Sequence, residues 1–167
     1  MLRIPPVILS TDHRKRCRVQ IGDSLHLIEL PLLGGNPTKL TALQGKQATV
    51  ILFWHPYHWM TQDALSDFSA LTKQWANQRV KLVGIASGQP VGKVQSQLTA
   101  VGAEFPQLLD TDNHAYSQVS NLKASESSLP WIIVLDAEGK IAWFDIEYSE
   151  ASRRELRQTV GALMKKP

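Results

Sequence analysis

The hydrophobic pattern of the chain centres on residues 48–54, an apolar run of strand length with the sequence ATVILFW. Continuous apolar residues without polar alternation indicate a strand that is buried on both faces, as in a parallel sheet covered by helices. After Pro56, apolar side chains recur at helical spacing and predict a helix over 62–78: Leu65, Phe68, Leu71 and Trp75. The turn 55–61 therefore joins a central strand to a helix, at the sheet edge where open α/β folds bind their ligands.

Other apolar runs predict the remaining strands. Two short runs flank a Gly-Gly-Asn-Pro turn at 34–37 and predict a β-hairpin, with strands at 27–30 and 38–40. Longer runs predict four further strands, at 80–86, 105–109, 131–135 and 140–144. The last two are separated by a short turn, so we expect them to pair antiparallel.

Three further helices are predicted. One starts at Pro90 and ends at Gly102, because glycine suits the left-handed residue that ends many helices. Another runs through the apolar positions of 115–122. The last begins at a capping box formed by Ser152 and Glu155.

The order of these elements is a hairpin, then βαβα, a variable helix and ββα. Strands and helices that alternate and end in an antiparallel hairpin indicate an α/β fold, with a mixed central sheet of four or five strands and helices on both faces. We therefore expect one domain over 19–167 with an N-terminal β-hairpin. Residues 1–18 are predicted to form a basic, solvated N-terminal extension.

Composition excludes several classes of function. The 167 residues are 43% hydrophobic and 20% charged, which is ordinary for a globular protein. The net charge of +3 is mildly basic, and the basic cluster at 13–18 lacks the aromatic residues that stack on bases, so we expect no nucleic-acid partner. No apolar run of the sequence approaches the roughly 18 residues of a membrane span. The proline-broken start is also unlike a signal peptide, so we expect a cytoplasmic location.

Cys17 is the single cysteine of the sequence, so no intramolecular disulfide supports the fold. Its neighbours are cationic, and cations lower the pKa of a thiol and favour the reactive thiolate. Two interpretations stay open: a reactive or redox-sensing thiol, or an incidental cysteine on the extension.

Several motifs resemble known proteins. They are the Phe53-Trp54 pair before the turn and helix, the segment Gln20-Ile21-Gly22-Asp23-Ser24-Leu25, and the lead-in Thr41-Ala42-Leu43-Gln44-Gly45-Lys46. Together these segments resemble thioredoxin-fold proteins of two groups, the peroxiredoxins (alkyl hydroperoxide reductase/thiol-specific antioxidant family) and the TlpA-like thiol–disulfide reductases. The resemblance covers 19 to 163 and implies the thioredoxin-like fold and an oxidoreductase family.

The cysteines that perform the family's chemistry are missing. In the reductase register, the two cysteines of C-x-x-C fall on His58 and Thr61. In the peroxiredoxin register, the peroxidatic cysteine falls on Asp63 and the family's threonine on Met60. Neither register contains a thiol, so whether the chain is an enzyme stays open.

The resemblance also implies a ligand groove. Pro130 matches the cis-proline that faces the active-site turn in this superfamily, and the residue before it, here Leu129, offers backbone groups to a bound substrate. A cis X-Pro bond costs only about 0.5–1 kcal/mol over trans. The candidate groove residues are therefore His55, Tyr57, His58, Trp59, Thr61, Leu129 and Pro130.

Thr61 has no evident base beside it and is interpreted as the N-cap of the helix, its hydroxyl pairing with a free backbone amide. His55 and His58 have a spacing that supplies two metal ligands, but a specific zinc site needs three or four. We therefore expect no metal and no cofactor.

The sequence favours a redox-inactive thioredoxin-fold domain that binds a peptide, a protein or a small ligand in the former active-site groove. One alternative is a thiol-dependent antioxidant oxidoreductase acting through Cys17 or a partner. The other is a scaffold subunit, with a homodimer formed through a sheet edge or a helix face.

Overall fold

The computed structural model describes residues 3–25, 29–56, 60–76, 79–122 and 130–165. Its helices and strands are, in chain order, α1 (Thr11–Arg16), β1 (Leu30–Pro31), β2 (Pro37–Thr38), β3 (Ala48–Trp54), α2 (Thr61–Gln74), β4 (Val80–Ser87), α3 (Val91–Val101), β5 (Gln107–Asp110), β6 (Trp131–Leu135), β7 (Ile141–Asp145) and α4 (Glu150–Met164). Two 3-10 helices add Leu40–Leu43 and Tyr116–Gln118.

β3 is the middle strand of a five-stranded sheet in the order β5-β4-β3-β6-β7. It runs parallel to β4 and antiparallel to β6, and all seven of its residues are buried. β1 and β2 form a separate antiparallel hairpin. The mixed sheet, the central strand and the N-terminal hairpin are thus as the sequence predicts.

The two faces of the sheet are covered differently. The crossovers from β3 to β4 and from β4 to β5 step in the same direction, so right-handed connections place α2 and α3 on one face. α4 packs on that face too. The opposite face is covered by the 3-10 helices, β1 and the N-terminal segment around Val19. α-Helices therefore cover one face of the sheet and 3-10 helices lie on the other, so helices are found on both faces, as predicted.

Two helix predictions need correction. The helix expected through 115–122 is only the 3-10 helix Tyr116–Gln118 in the described part of that segment. The Asp110 carboxylate accepts the backbone N–H groups of Ala115 and Tyr116 (2.9 Å each), which fixes a tight turn there instead. The capping box of α4 is also one turn earlier than predicted. Ser149 and Ser152 each accept the backbone N–H of the other, so a serine performs the role expected of Glu155.

The expected solvated arm packs on the domain. Ile4 contacts the core on the α4 face, Leu9 contacts the core on the opposite face, and Val7 contacts both. Residues 4–9 therefore cross the edge of the sheet beside β7. Apolar burial stabilises this path, and Gln158 Nε2 also donates to the Arg3 carbonyl (2.7 Å).

Among the described residues, the helices are all too short or too polar to cross a lipid bilayer.

One close approach is built into the sheet. Gly84 pairs with Gln107, whose side chain crosses over it to reach Trp54, and Trp54 Nε1 donates to Gln107 Oε1 (2.9 Å). A Cβ on Gly84 would overlap that amide. Glycine at position 84 is therefore required by packing.

We predict that Gly84→Ala lowers the free energy of unfolding by about 1–3 kcal/mol, the usual cost of overpacking. In a Gln107→Ala background the added cost should largely disappear, because the overlapping amide is gone. Urea denaturation of the two single variants and the double variant measures this coupling. Gly92→Ala is the matched control, since a Cβ there meets nothing within 4 Å. An equal cost of Gly84→Ala in both backgrounds would contradict the prediction.

Candidate functional site

Three parallel strands end together at one edge of the sheet. β3, β4 and β5 have their carboxyl ends there, and the residues that end or directly follow them are His55, Ser87 and Asp110. Ligands of open α/β sheets bind at such an edge. The candidate site is built from these residues and from the start of α2.

The imidazole of His55 contacts the loop that follows β4. Its Nε2 lies 2.7 Å from Gln89 Nε2. This contact holds the half-buried imidazole at the edge of the sheet.

A buried carboxylate fixes the loop that carries Gln89. Asp110 is fully buried and accepts the Ser87 hydroxyl at Oδ2 (2.7 Å), and its own carbonyl accepts the Gly88 N–H (2.9 Å). Gly88 has a φ of +74°, a conformation that suits glycine, and it lies against the Asn113 side chain. Since buried polar groups are costly unless they are paired, this set of bonds rigidifies the loop.

Thr61 is the first residue of α2, and its side chain is fully buried. Its hydroxyl donates to the His55 carbonyl (2.8 Å) and so closes the turn between β3 and α2. The prediction that Thr61 is the N-cap is therefore wrong: Met60 occupies that position without a side-chain cap. The sequence predicted that the Thr61 hydroxyl pairs with a backbone amide. In the structure it donates instead to the carbonyl of His55, the residue that follows the last paired residue of β3.

The structure brings three of the seven predicted site residues to this edge: His55, Thr61 and Pro130. Pro130 is buried and precedes Trp131, the partner of Phe53, so it lies beside the end of β3. The other four, Tyr57, His58, Trp59 and Leu129, lie outside the described residues. The Leu129–Pro130 bond does too, so its cis isomer stays a prediction.

No group of three or more His, Cys, Asp or Glu side chains converges among the described residues. His58 and His26 lie outside that set. The expectation that the chain binds no metal stays a prediction.

Cys17 lies away from this edge. Its backbone forms an isolated antiparallel β-bridge with that of Ser120. Its side chain packs on the face of the sheet opposite α2, where it lines a cavity of about 350 Å³ together with Phe144. Its half-buried Sγ donates to the Val19 carbonyl (3.2 Å). Burial raises the pKa of the thiol, whereas the sequence predicted a lowered one from the cationic neighbours.

Sequence reasoning missed the residues that support the site. The one sequence signal for them is polarity at the end of a strand or just after it, which is shared by Ser87, Gln89 and Asp110. Their roles depend on contacts between segments that are far apart in sequence.

Comparisons with known proteins agree with this architecture. The model of the AhpC/TSA family matches residues 21–144, about three quarters of the chain, and the chain belongs to that family. A search of curated proteins gave no significant match.

Solved structures of thiol–disulfide oxidoreductases and a peroxidoxin share the fold. A Bacteroides thetaiotaomicron protein assigned as a protein disulfide isomerase has a TM-score of 0.78 at 20% identity, over 90% of this chain and 94% of its own. A secreted Mycobacterium tuberculosis disulfide oxidoreductase has a TM-score of 0.65 at 26% identity, over 81% and 96%. The peroxidoxin BcpB from the same organism has a TM-score of 0.67 at 21% identity, over 86% and 95%. The thioredoxin-like fold and the oxidoreductase family are thus established, in a chain with a single cysteine and therefore without C-x-x-C.

We predict that Thr61→Val lowers the free energy of unfolding by about 1 kcal/mol, because the part-buried hydrogen bond from Thr61 to the His55 carbonyl is lost while the side-chain shape is kept. Thr61→Ser, which keeps the hydroxyl, should lose less. Chemical denaturation of both variants measures the difference. If the serine variant is the less stable of the two, the methyl group and not the hydrogen bond is what matters at this position.

The raised pKa of Cys17 predicts slow alkylation. At pH 8, iodoacetamide should react several-fold more slowly with the native chain than with the urea-unfolded chain, because burial keeps the thiol protonated. Linkage has a definite sign: above about pH 8.5 the unfolded thiol loses its proton first, so stability falls as the pH rises toward the folded pKa. Cys17→Ser should remove that part of the pH dependence. Native alkylation as fast as that of the unfolded chain would refute the buried-thiol account.

Proposed function

We propose that this chain is a redox-inactive member of the AhpC/TSA family that binds a ligand at the former active-site edge. The observation that carries the proposal is the state of Thr61. One of the two cysteines falls on it in the reductase register, and here its buried hydroxyl is used to hold the His55 carbonyl. A side chain engaged in a structural hydrogen bond thus stands where the reductase motif has its second cysteine.

Thiol chemistry needs a thiolate at the reacting centre. Disulfide exchange begins with attack of a thiolate on a disulfide sulfur, and the thiolate is the reactive form of cysteine in general. The single thiol of the sequence, Cys17, packs on the other face of the sheet, and its pKa is raised. These two facts weigh against the alternative of an enzyme that acts through Cys17.

Binding needs only an ordered surface at the same edge. His55 is held by Gln89, and the loop behind it is tied to the buried Asp110. We propose that Tyr57, His58 and Trp59 add aromatic area and a further polar group. The backbone of Leu129, before Pro130, would pair with an extended peptide as an added strand. An extended peptide segment of a protein is the ligand that this arrangement fits best.

The scaffold alternative is weakened at both edges of the sheet. Residues 4–9 cross the edge beside β7. At the other edge, Leu32 bridges to Leu108 of β5, and the Leu33 N–H donates to the Gln107 carbonyl. A homodimer would therefore have to form through a helix face, and it stays a secondary proposal.

The cytoplasmic location also stays a proposal, because one of the similar structures is that of a secreted protein. Fractionation of source cells, followed by immunoblotting with an antibody against the chain, tests it.

We predict that the purified chain neither reduces insulin disulfides with dithiothreitol nor consumes hydrogen peroxide above background. His58→Cys/Thr61→Cys is the gain-of-function control. If the reductase register is correct, the pair should oxidise in air to a disulfide and confer reductase activity. Turnover by the natural chain that disappears in Cys17→Ser would overturn the proposal. A double variant that stays folded by circular dichroism and does not oxidise would show that the register is wrong.

Peptide binding is tested with a linear peptide selected from a phage-displayed random library on the immobilised full chain. Trp59→Ala should weaken binding of the synthesised peptide by about 30-fold or more, as for an aromatic hot spot, and leave the thermal midpoint nearly unchanged. Gln89→Ala should weaken binding less, by freeing the imidazole of His55. Val91→Ala, on exposed α3 surface, is the control and should bind normally. A large loss of stability in Trp59→Ala with binding unchanged would place Trp59 in the core and refute a binding groove.

A further inference from the structure

The positive charge of the chain is concentrated at its N-terminus. The first 18 residues hold five of the 18 Lys and Arg residues and one of the 15 acidic residues, a net charge of +4. The rest of the chain carries −1, since the total is +3. Positive charge concentrated in one segment produces a local electrostatic potential that attracts anionic partners, whereas the same charge spread evenly over the surface would not.

The fold holds the backbone of α1, the helix on which part of this positive charge lies. α1 carries Arg14 and Lys15, and the residue that fixes it is Asn121. The Asn121 side chain donates to the Lys15 carbonyl (2.8 Å), and its backbone N–H donates to the Arg16 carbonyl (2.9 Å). The side chains of Arg14 and Lys15 are exposed, and neither forms an ion pair with any residue that the structure describes. Their charges are therefore presented to solvent from a fixed backbone.

Two apolar side chains are exposed on the chain segments that flank α1. Ile8 is 83% exposed and Ile21 is 52% exposed, and they are two of the three large apolar side chains exposed in the described residues. Ile8 follows Val7 in the chain, and Val7 and Ile21 line the same two neighbouring cavities. Arg14 lines the first of these cavities and Lys140 the second. We call the surface formed by Ile8, Arg14, Lys15, Ile21 and Lys140 the N-terminal surface.

Four acidic residues also lie on the segments that form this surface, and two of them are engaged with backbone amides. Asp23 accepts the Gln20 N–H, and Asp136 accepts the N–H groups of Glu138 and Lys140. The other two are Asp12, within α1, and Glu138, in the turn before β7. Counted over residues 3–23 and 136–140, six Lys and Arg residues stand against these four acids, so these segments keep a net charge of +2.

We propose that the N-terminal surface binds the surface of an anionic lipid bilayer. Ile8 enters the boundary between headgroups and acyl chains, and Arg14, Lys15 and Lys140 contact lipid phosphates. Exposed apolar side chains among unpaired cations suit this partner, because burial of apolar area and attraction to anionic lipid act together. Nucleic acid fits less well, since residues 1–21 contain no Phe, Trp or Tyr on which a base can stack. The proposal is independent of the ligand-binding site.

The test is co-sedimentation of the full chain with vesicles of phosphatidylcholine alone or of phosphatidylcholine mixed with phosphatidylglycerol. The chain should sediment with the mixed vesicles only, and added sodium chloride should weaken binding, because salt screens the headgroup charge. Sedimentation with both kinds of vesicle to the same extent, or with neither, would overturn the proposal.

Variants locate the contact. Arg14→Gln/Lys15→Gln should weaken the partition into mixed vesicles by about 30-fold, and Ile8→Ser by about tenfold. The matched controls are Lys39→Gln/Lys81→Gln, which removes the same charge from exposed positions elsewhere, and Val91→Ser, which removes the third exposed apolar side chain. All four are surface changes and should keep the thermal midpoint of the natural chain. Equal losses in the controls, or tighter binding of a single-stranded RNA oligomer than of the vesicles at the same salt concentration, would refute a lipid-binding N-terminal surface.

Discussion

The burial of β3 on both of its faces is the constraint on which the rest of the structure depends. A strand whose seven residues are all buried needs covering layers above and below it. Three α-helices provide one layer, and the 3-10 helices with the N-terminal segment provide the other. His55 directly follows β3 and is the first residue after the strand that is partly exposed to solvent. The position of the candidate site therefore follows from the burial of the strand.

The candidate site lies at the end of β3 in a chain of the AhpC/TSA family that has no cysteine in the following turn. The turn from β3 to α2 is closed by the Thr61 hydroxyl on the His55 carbonyl, and the neighbouring loop is tied to the buried Asp110. Such paired polar groups make an edge rigid, because breaking any one of them leaves a buried group unsatisfied. This ordered edge carries the imidazole of His55 and no cysteine, and it is the part of the molecule to which we assign the proposed binding.

The N-terminal segment changes how two sequence features are interpreted. The cations around Cys17 suggested a reactive thiol, yet packing against the sheet buries the sulfur, and burial outweighs the nearby positive charge. The same packing fixes α1 and leaves Arg14 and Lys15 in solvent. The segment that was expected to be a solvated extension therefore packs on the domain, with its cations in solvent.

The sequence by itself determined the elements whose signals are local. The apolar run of β3, the left-handed Gly102 at the end of α3 and the absence of cysteine from the turn were all legible, because each depends on neighbouring residues alone. Only the tertiary structure decided the roles of Thr61, Gln89 and Asp110. The partners of Gln89 and Asp110 lie in other segments: Gln89 meets His55 across 34 positions of sequence, and Asp110 meets Ser87 across 23. Thr61 bonds the His55 carbonyl only six positions away, but no local pattern told that acceptor from a backbone amide. Hydrogen bonds and burial between such segments exist only after the sheet has formed, so no local pattern of residue types encodes them.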